Sequence, residues 1–313
     1  MYVQVFIVAS LLTSQLIEGP AVGPPENTDP SASLEEVVVA APEPRYVAPT
    51  LRDRIGRIWA PVYIDGRGPF RLVLDTGANS SAVIPSVVDR LGKEVQTSRA
   101  VRVHGVTGSA LVPTIGVESL EIGDLWIENA TLPIVQDVFG GAEGVLGTEG
   151  LQDKRIFIDF RNDHISILRS RRERPGPGYK RVRVQLEKGS LLMFDVKLGG
   201  VRCRAMLDTG AQVTVGNNSL REALARRARE AVDSDVIGVT LDVAKGDAVY
   251  APPVDIGGVI VRGMRITFGD LFIFDAWDLK DEPALLIGMD VIGVLDSLVI
   301  DYRLKELHLR SRN

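Results

Sequence analysis

Cysteine, histidine and aromatic side chains are scarce in this 313-residue chain. The single cysteine, Cys203, rules out an intrachain disulfide and any zinc site built on cysteine pairs. It lies in GGVRCRAML, where it alternates with Arg202 and Arg204 as a half-buried strand thiol would. The three histidines, His104, His164 and His308, are far apart, and none has a partner at i,i+4, so a zinc-hydrolase helix is absent. No Gly-x-Ser-x-Gly elbow, phosphate loop or dinucleotide fingerprint occurs. Nothing here asks for a metal or an organic cofactor. Positive charge is also short: 36 Lys and Arg stand against 41 Asp and Glu, a net −5. Such a chain has no global field for nucleic acid. The basic run RSRRERPGPGYKRVR is local, lies beside Pro and Gly, and reads as a solvated linker.

What the chain does have is 31 Gly and 17 Pro among plentiful Val and Ile. That composition suggests many turns and favours an all-β or β-rich fold, and local patterns offer few, short helices. The apolar stretch from Tyr2 to Ile17 is shorter than the roughly 20 residues of a membrane span. Followed by Pro, Gly and small polar residues, it predicts a signal peptide or short hydrophobic segment over 1–18, although no Lys or Arg precedes it. Export to the periplasm or medium is the expectation, with an uncleaved anchor or a core segment as alternatives and no obligatory membrane partner. Residues 19–50 are rich in Pro, Glu and Ala and predict a disordered tether.

The remainder contains itself twice. PVYIDGRGPFRLVLDTGANSSAV is answered by FDVKLGGVRCRAMLDTGAQVTV. Each copy is a strand, a Gly-containing turn and a second strand that ends in Leu-Asp-Thr-Gly-Ala. Downstream, HGVTGSA and GVTLDVAKGD each begin a further hairpin, and IGDLWI and IGGVIV mark others. EGVLGTEGL and ALLIGMDVI come next, and each copy ends on a paired hairpin, RIFIDFRNDHISIL or SLVIDYRLKELHL. The pattern predicts one lobe over 51–170, a linker over 171–181 and a second lobe over 182–313. NSLREALARRAREAV predicts a capped amphipathic helix, with IPSVVDRLGKEV as its shorter counterpart.

One Asp-Thr-Gly is an ordinary turn: Gly permits the bend, and Thr offers its hydroxyl to the backbone. By chance the tripeptide should appear in under about a tenth of chains this long. Here it appears twice, at equivalent places. Two such copies paired about a pseudo-two-fold axis bring Asp75 and Asp208 face to face. Two close carboxyls share a proton and titrate as a pair. One removes a proton from water while the other hydrogen-bonds a carbonyl oxygen.

LVLDTGA, AMLDTGA, the Gly-containing flap segments, GVLG and LLIG together resemble the retropepsin-like aspartic proteases, in particular bacterial members with two such domains in tandem. The likeness spans about residues 55 to 310. It implies two β-barrel lobes with a cleft between them and flap hairpins over it. It implies catalysis by Asp75 and Asp208, with Thr76, Gly77 and Ala78 and their counterparts Thr209, Gly210 and Ala211 supporting the loops. Flap or substrate contacts would come from His104, Gly105, Val106, Thr107 and Gly108 in one lobe, and from Gly238, Val239 and Thr240 in the other. No metal or cofactor is implied, and the partner is a peptide or protein substrate.

Ala78 and Ala211 stand where pepsin-like enzymes carry Ser or Thr. Without that hydroxyl donor the dyad should hold its proton to higher pH, so activity is expected at mildly acidic to neutral pH. Among single residues, His104 reads as an exposed loop histidine and Trp126 as an outer-strand or lobe-packing residue. Trp277 lies shortly before LLIG, in a region that by the resemblance borders the cleft. Glu149 and Asp290 read as caps of the next turn or helix, and Asp159 and Asp301 as structural groups at the lobe surface. A non-catalytic peptide binder on the same fold, and a protease assembled between chains, are the competing readings.

Overall fold

The computed structural model describes residues 57–224, 229–237 and 243–312, with the short segments 4–6, 11–12 and 38–40. Most of the expected signal segment and tether therefore lies outside the described residues. So do Gly238, Val239 and Thr240 of the second flap.

Each lobe begins with the hairpin read from the sequence. Trp59–Ile64 pairs antiparallel with Arg67–Leu74, and Leu191–Leu198 with Val201–Leu207. Both turns are two-residue loops, Asp65-Gly66 and Gly199-Gly200, with all four residues at positive φ. That conformation matches the twist of the flanking strands, which explains the glycines. Alternate residues of the first hairpin, Ala60, Val62, Phe70 and Leu72 among them, are buried.

A third strand then slides alongside. Gly144–Leu146 lies parallel to Arg67–Leu74 and antiparallel to Ala82–Val83. Ala284–Ile287 repeats this between Val201–Leu207 and Val215–Gly216. These are the GVL and ALLI pieces of the sequence, and their burial on both faces explains their unbroken apolar character. The hairpin Gln96–His104 with Ser109–Ile122 extends the first lobe, and Arg229–Ile237 with Val243–Tyr250 extends the second. Gln4–Phe6 adds a parallel strand to the first of these hairpins, and Leu11–Leu12 an antiparallel strand to the second.

The lobes are joined by a five-stranded sheet. Its order is His164–Arg169, Lys154–Asp159, Leu295–Asp301, Glu306–Ser311 and Lys180–Arg183. Two strands come from the end of the first repeat and two from the end of the second. The last belongs to the chain that connects them. Glu306 takes both nitrogens of a fork from Arg174, at 2.9 and 3.0 Å, which pins that connection.

Two local expectations are corrected. The helix in NSLREALARRAREAV covers only Asn218–Leu224, and Arg229 onward is strand. Tertiary pairing with Val243–Tyr250 overrides helix propensity there. Its counterpart, Pro85–Leu91, begins with Pro in the first turn and ends on Gly92 in the left-handed conformation. Asp301 is wholly buried, not at the lobe surface. It accepts from Arg155 Nε at 2.9 Å and Ser170 Oγ at 2.8 Å, inside the joining sheet. Asp159 does sit at a turn, where it accepts from the amides of Arg161 and Asn162. Among the described residues no helix is long and apolar enough to cross a membrane.

Candidate active site

Asp75 and Asp208 each leave the end of a buried strand, and the two loops meet between the lobes. Thr76 Oγ1 donates to Leu207 O at 2.7 Å, and Thr209 Oγ1 donates to Leu74 O at 2.6 Å. Each hydroxyl also accepts the amide of the opposite threonine, both at 3.1 Å. Four reciprocal bonds thus tie Leu-Asp-Thr in one lobe to Leu-Asp-Thr in the other. Asp75, Thr76, Asp208 and Thr209 are completely buried.

Each carboxyl is oriented by its own loop. Asp75 Oδ1 accepts from the Gly77 amide at 2.8 Å. Asp208 Oδ1 accepts from Gly210 at 2.8 Å and from Ala211 at 2.9 Å. The glycines are needed for the close approach of the two loops. A Cβ on Gly77 would lie 2.7 Å from Asp208 Oδ2, and one on Gly210 would overlap the Asp75 carboxyl.

The strands that slide alongside lock these loops from behind. Leu146 O accepts from the Asp75 amide and Ile287 O from the Asp208 amide, both at 3.0 Å. Gly147 N donates to Ser81 Oγ at 3.0 Å, and Gly288 N to Thr214 Oγ1 at 3.1 Å. A Cβ at Gly147 or Gly288 would strike backbone atoms of Ser80 or Val213, which explains the glycine that closes each apolar piece. Glu149 and Asp290 are more than local caps, because each reaches back to its lobe's aspartate loop. Glu149 accepts from the Ser81 amide at 2.6 Å, and Asp290 accepts from both the amide and the hydroxyl of Thr214. Asp290 also accepts from the Val291 amide in its own short helix. Burial pushes Asp290 up to about 6 and raises Glu149 as well.

Electrostatics here are governed by burial. Desolvation pushes Asp75 up to about 7, against the pull of the Gly77 amide, Asp208, the Arg57 charge and the Ala78 amide. Asp208 is raised well above the usual carboxylate range, first by burial and then by the charge of Asp75. The pair therefore retains a proton at neutral pH. Burial, then Asp195, pushes the Cys203 thiol up to about 12, so this buried group is no nucleophile.

The first flap is folded down onto the second lobe. Its tip is tight, with Gly105 N donating to Gly108 O at 2.8 Å. Val106 is fully buried in an apolar cluster with second-lobe residues that include Met193, Ala211 and Phe274. Val106 O accepts from the Ile273 amide at 3.2 Å. His104 is not an exposed loop residue. It is 8% exposed, and its ring stacks on Phe272 at 5.6 Å between centroids. Burial and then Arg102 hold its pKa below the ordinary value. Thr107 and Gly108 complete the tip. Trp277 is buried in the same second-lobe cluster, whereas Trp126 is an exposed outer-strand residue.

Among the described residues no three His, Cys, Asp or Glu side chains are gathered as metal ligands. The site gathers two buried carboxyls beneath an apolar flap. The family model described as aspartyl protease matches residues 60–149 and again 194–291. The chain belongs to the aspartyl protease family. Each match contains one Asp-Thr-Gly loop and ends at or just past the Glu149 or Asp290 lock of its lobe. A search of curated proteins returned no match. Sequence reasoning missed Phe272 and Ile273, which receive the flap, and Arg57, which lies behind Asp75. No local pattern in the sequence marks any of the three.

Proposed function

We propose that this aspartyl protease is an endopeptidase acting as a single chain, with one active site formed by Asp75 and Asp208 of its two lobes. The observation that carries the reading is the reciprocal Thr76–Thr209 lock, which sets two buried carboxyls face to face. One carboxyl in its ionised form takes a proton from water as the oxygen attacks the scissile carbonyl. The other, protonated, hydrogen-bonds the carbonyl oxygen and neutralises the charge that develops there. No covalent intermediate is needed. An extended peptide would lie between the dyad and the first flap, held by main-chain hydrogen bonds of the strand-addition kind. The flap must lift from the Phe272–Ala276 helix to admit it.

A peptide library incubated with the purified chain tests this. Cleavage that is blocked by a statine-type hydroxyl mimic, and abolished in both Asp75→Asn and Asp208→Asn, is the expected result. Cleavage that survives either substitution defeats the dyad. Binding without cleavage makes the chain a peptide receptor instead. The mass of the active species distinguishes the pseudo-dimer from pairing between chains, since an active monomer needs no second copy. Export is proposed from the apolar stretch at Tyr2–Ile17. Recovery of tagged protein only from the cytoplasm would contradict it.

A further inference from the structure

The two aspartates differ in the residue that stands behind each. In the first lobe Trp59 pairs with Val73, and Leu74 N donates to Ile58 O at 2.9 Å. The next step of that register sets Arg57 opposite Asp75. In the second lobe Met193 pairs with Met206, and the same stepping sets Leu191 opposite Asp208. Pseudo-symmetry is thus broken at the position that faces each aspartate: arginine in one lobe, leucine in the other.

Arg57 is no surface cation. It is fully buried, with its guanidinium 5.9 Å from the Phe139 ring centroid. Its positive charge acts on Asp75. Leu191 is buried in the apolar second-lobe cluster beside the Asp208 loop. Charges act more strongly when both are withdrawn from water. A neighbouring cation favours the ionised carboxyl, and an apolar neighbour favours the neutral acid. Among the described residues, the charged or titratable groups that interact with Asp75 are Arg57, Asp208 and Tyr302, and Asp208 interacts with Asp75. Burial, then the charge of Asp75, pushes the Tyr302 phenol up, so it remains neutral.

We propose that Arg57 is the positioning residue that breaks the symmetry of the dyad, making Asp75 the carboxylate that takes the proton from water and Asp208 the acid that serves the carbonyl oxygen. The assignment of roles rests on the aspartic-protease reading of the site. As the water oxygen bonds to the carbonyl carbon, its proton passes to Asp75, and the proton of Asp208 passes to the carbonyl oxygen. In the collapse, Asp75 gives its proton to the departing nitrogen as the C–N bond breaks. Asp208 takes one back from a gem-diol hydroxyl, and the dyad returns to its starting state.

The test needs no substrate. Aspartate carboxyl carbons labelled with carbon-13 are titrated by NMR in Asp208→Asn, which leaves Asp75, and in Asp75→Asn, which leaves Asp208. Asp75 should titrate at the lower pH. Adding Arg57→Met to Asp208→Asn should move Asp75 upward by about 1 to 3 pH units, whereas Arg57→Lys should leave it nearly in place. Equal titration of the two lone aspartates, or the reverse order, overturns the proposal even if Arg57→Met fails to fold. A shift in Arg57→Lys as large as in Arg57→Met overturns it too, because charge would then not be the cause. In the active chain the acid limb of kcat/KM should follow Asp75 and rise in Arg57→Met. Failure of all peptide cleavage would remove the protease reading while leaving the titration order as an independent result.

Discussion

Replacing Thr209 by Val tests whether the two lobes are held in register by the reciprocal threonine lock. Valine keeps the shape of threonine and removes the hydroxyl. Two bonds disappear with it: donation to Leu74 O at 2.6 Å and acceptance from Thr76 N at 3.1 Å. Leu74 and Thr76 are both fully buried, so neither group recovers its bond from water. A buried polar group stranded in this way costs about 1–3 kcal/mol, which puts the substitution at roughly 2–6 kcal/mol. Thr76→Val should cost a similar amount, because Thr76 Oγ1 makes the mirror-image pair of bonds to Leu207 O and Thr209 N. Thr209→Ser retains the hydroxyl and should cost much less.

The stronger test is the double variant. The four bonds close one ring, so the first substitution already loosens the partners of the second. The combined loss should fall short of the sum by about 1 kcal/mol or more, in the range usual for residues that share a network. Urea unfolding of the wild type, both single variants and the double variant supplies the cycle. Peptide hydrolysis by the same proteins reports whether the carboxyls still face each other. Strict additivity, or a loss in Thr209→Val below about 0.5 kcal/mol, refutes the claim that these bonds couple the lobes.

The same geometry sets two further outcomes. Asp75 and Asp208 have folded pKa values raised above their unfolded ones, so their contribution to stability is full below about pH 4 and declines as pH rises through the folded values. For Asp75, raised from an ordinary 3.8 to about 7, the cost at pH 7 is about 4 kcal/mol at 1.36 kcal/mol per unit. Asp208→Asn should therefore match the wild type near pH 4 and exceed its stability by a margin that widens as pH rises toward 7. A gap that fails to widen with pH in denaturant titrations contradicts this. Phe272→Ala removes the ring on which His104 stacks. At about 0.5–1.5 kcal/mol for such a contact, the flap should open roughly 2- to 12-fold more often. Amide exchange across residues 101–108 should quicken accordingly, and unchanged exchange would show that the stack holds nothing.

The parts of this fold that were legible in the sequence are those made by local chemistry or by repetition. Asp65-Gly66 and Gly199-Gly200 announce hairpins because only such residues take positive φ in both places. Gly147 and Gly288 mark the points where backbones nearly touch, and they recur because the lobes recur. The features that stayed hidden depend on contacts between distant segments. His104 looks like a loop residue until the flap tip is seen against Phe272. Asp301 looks superficial until Arg155 and Ser170, from the other lobe's end, enclose it. The helix in NSLREALARRAREAV stops early because a partner strand claims the chain beyond it.

Arg57 is the sharpest case, and it bears on how duplication shapes an active site. Two identical lobes would leave the shared proton without a preferred owner, since every group near one aspartate would be matched near the other. Much of the structure does preserve that match. The threonine lock is reciprocal to within 0.1 Å, and Ser81–Glu149 answers Thr214–Asp290. A single chain is free to differ at positions that a symmetric dimer must keep identical. The register places one such difference opposite the carboxyls, as Arg57 against Leu191. That difference leaves the reciprocal bonds intact while giving the two carboxyls unlike surroundings. Fusion of two copies therefore permits a division of labour within the dyad without disturbing the frame that holds it.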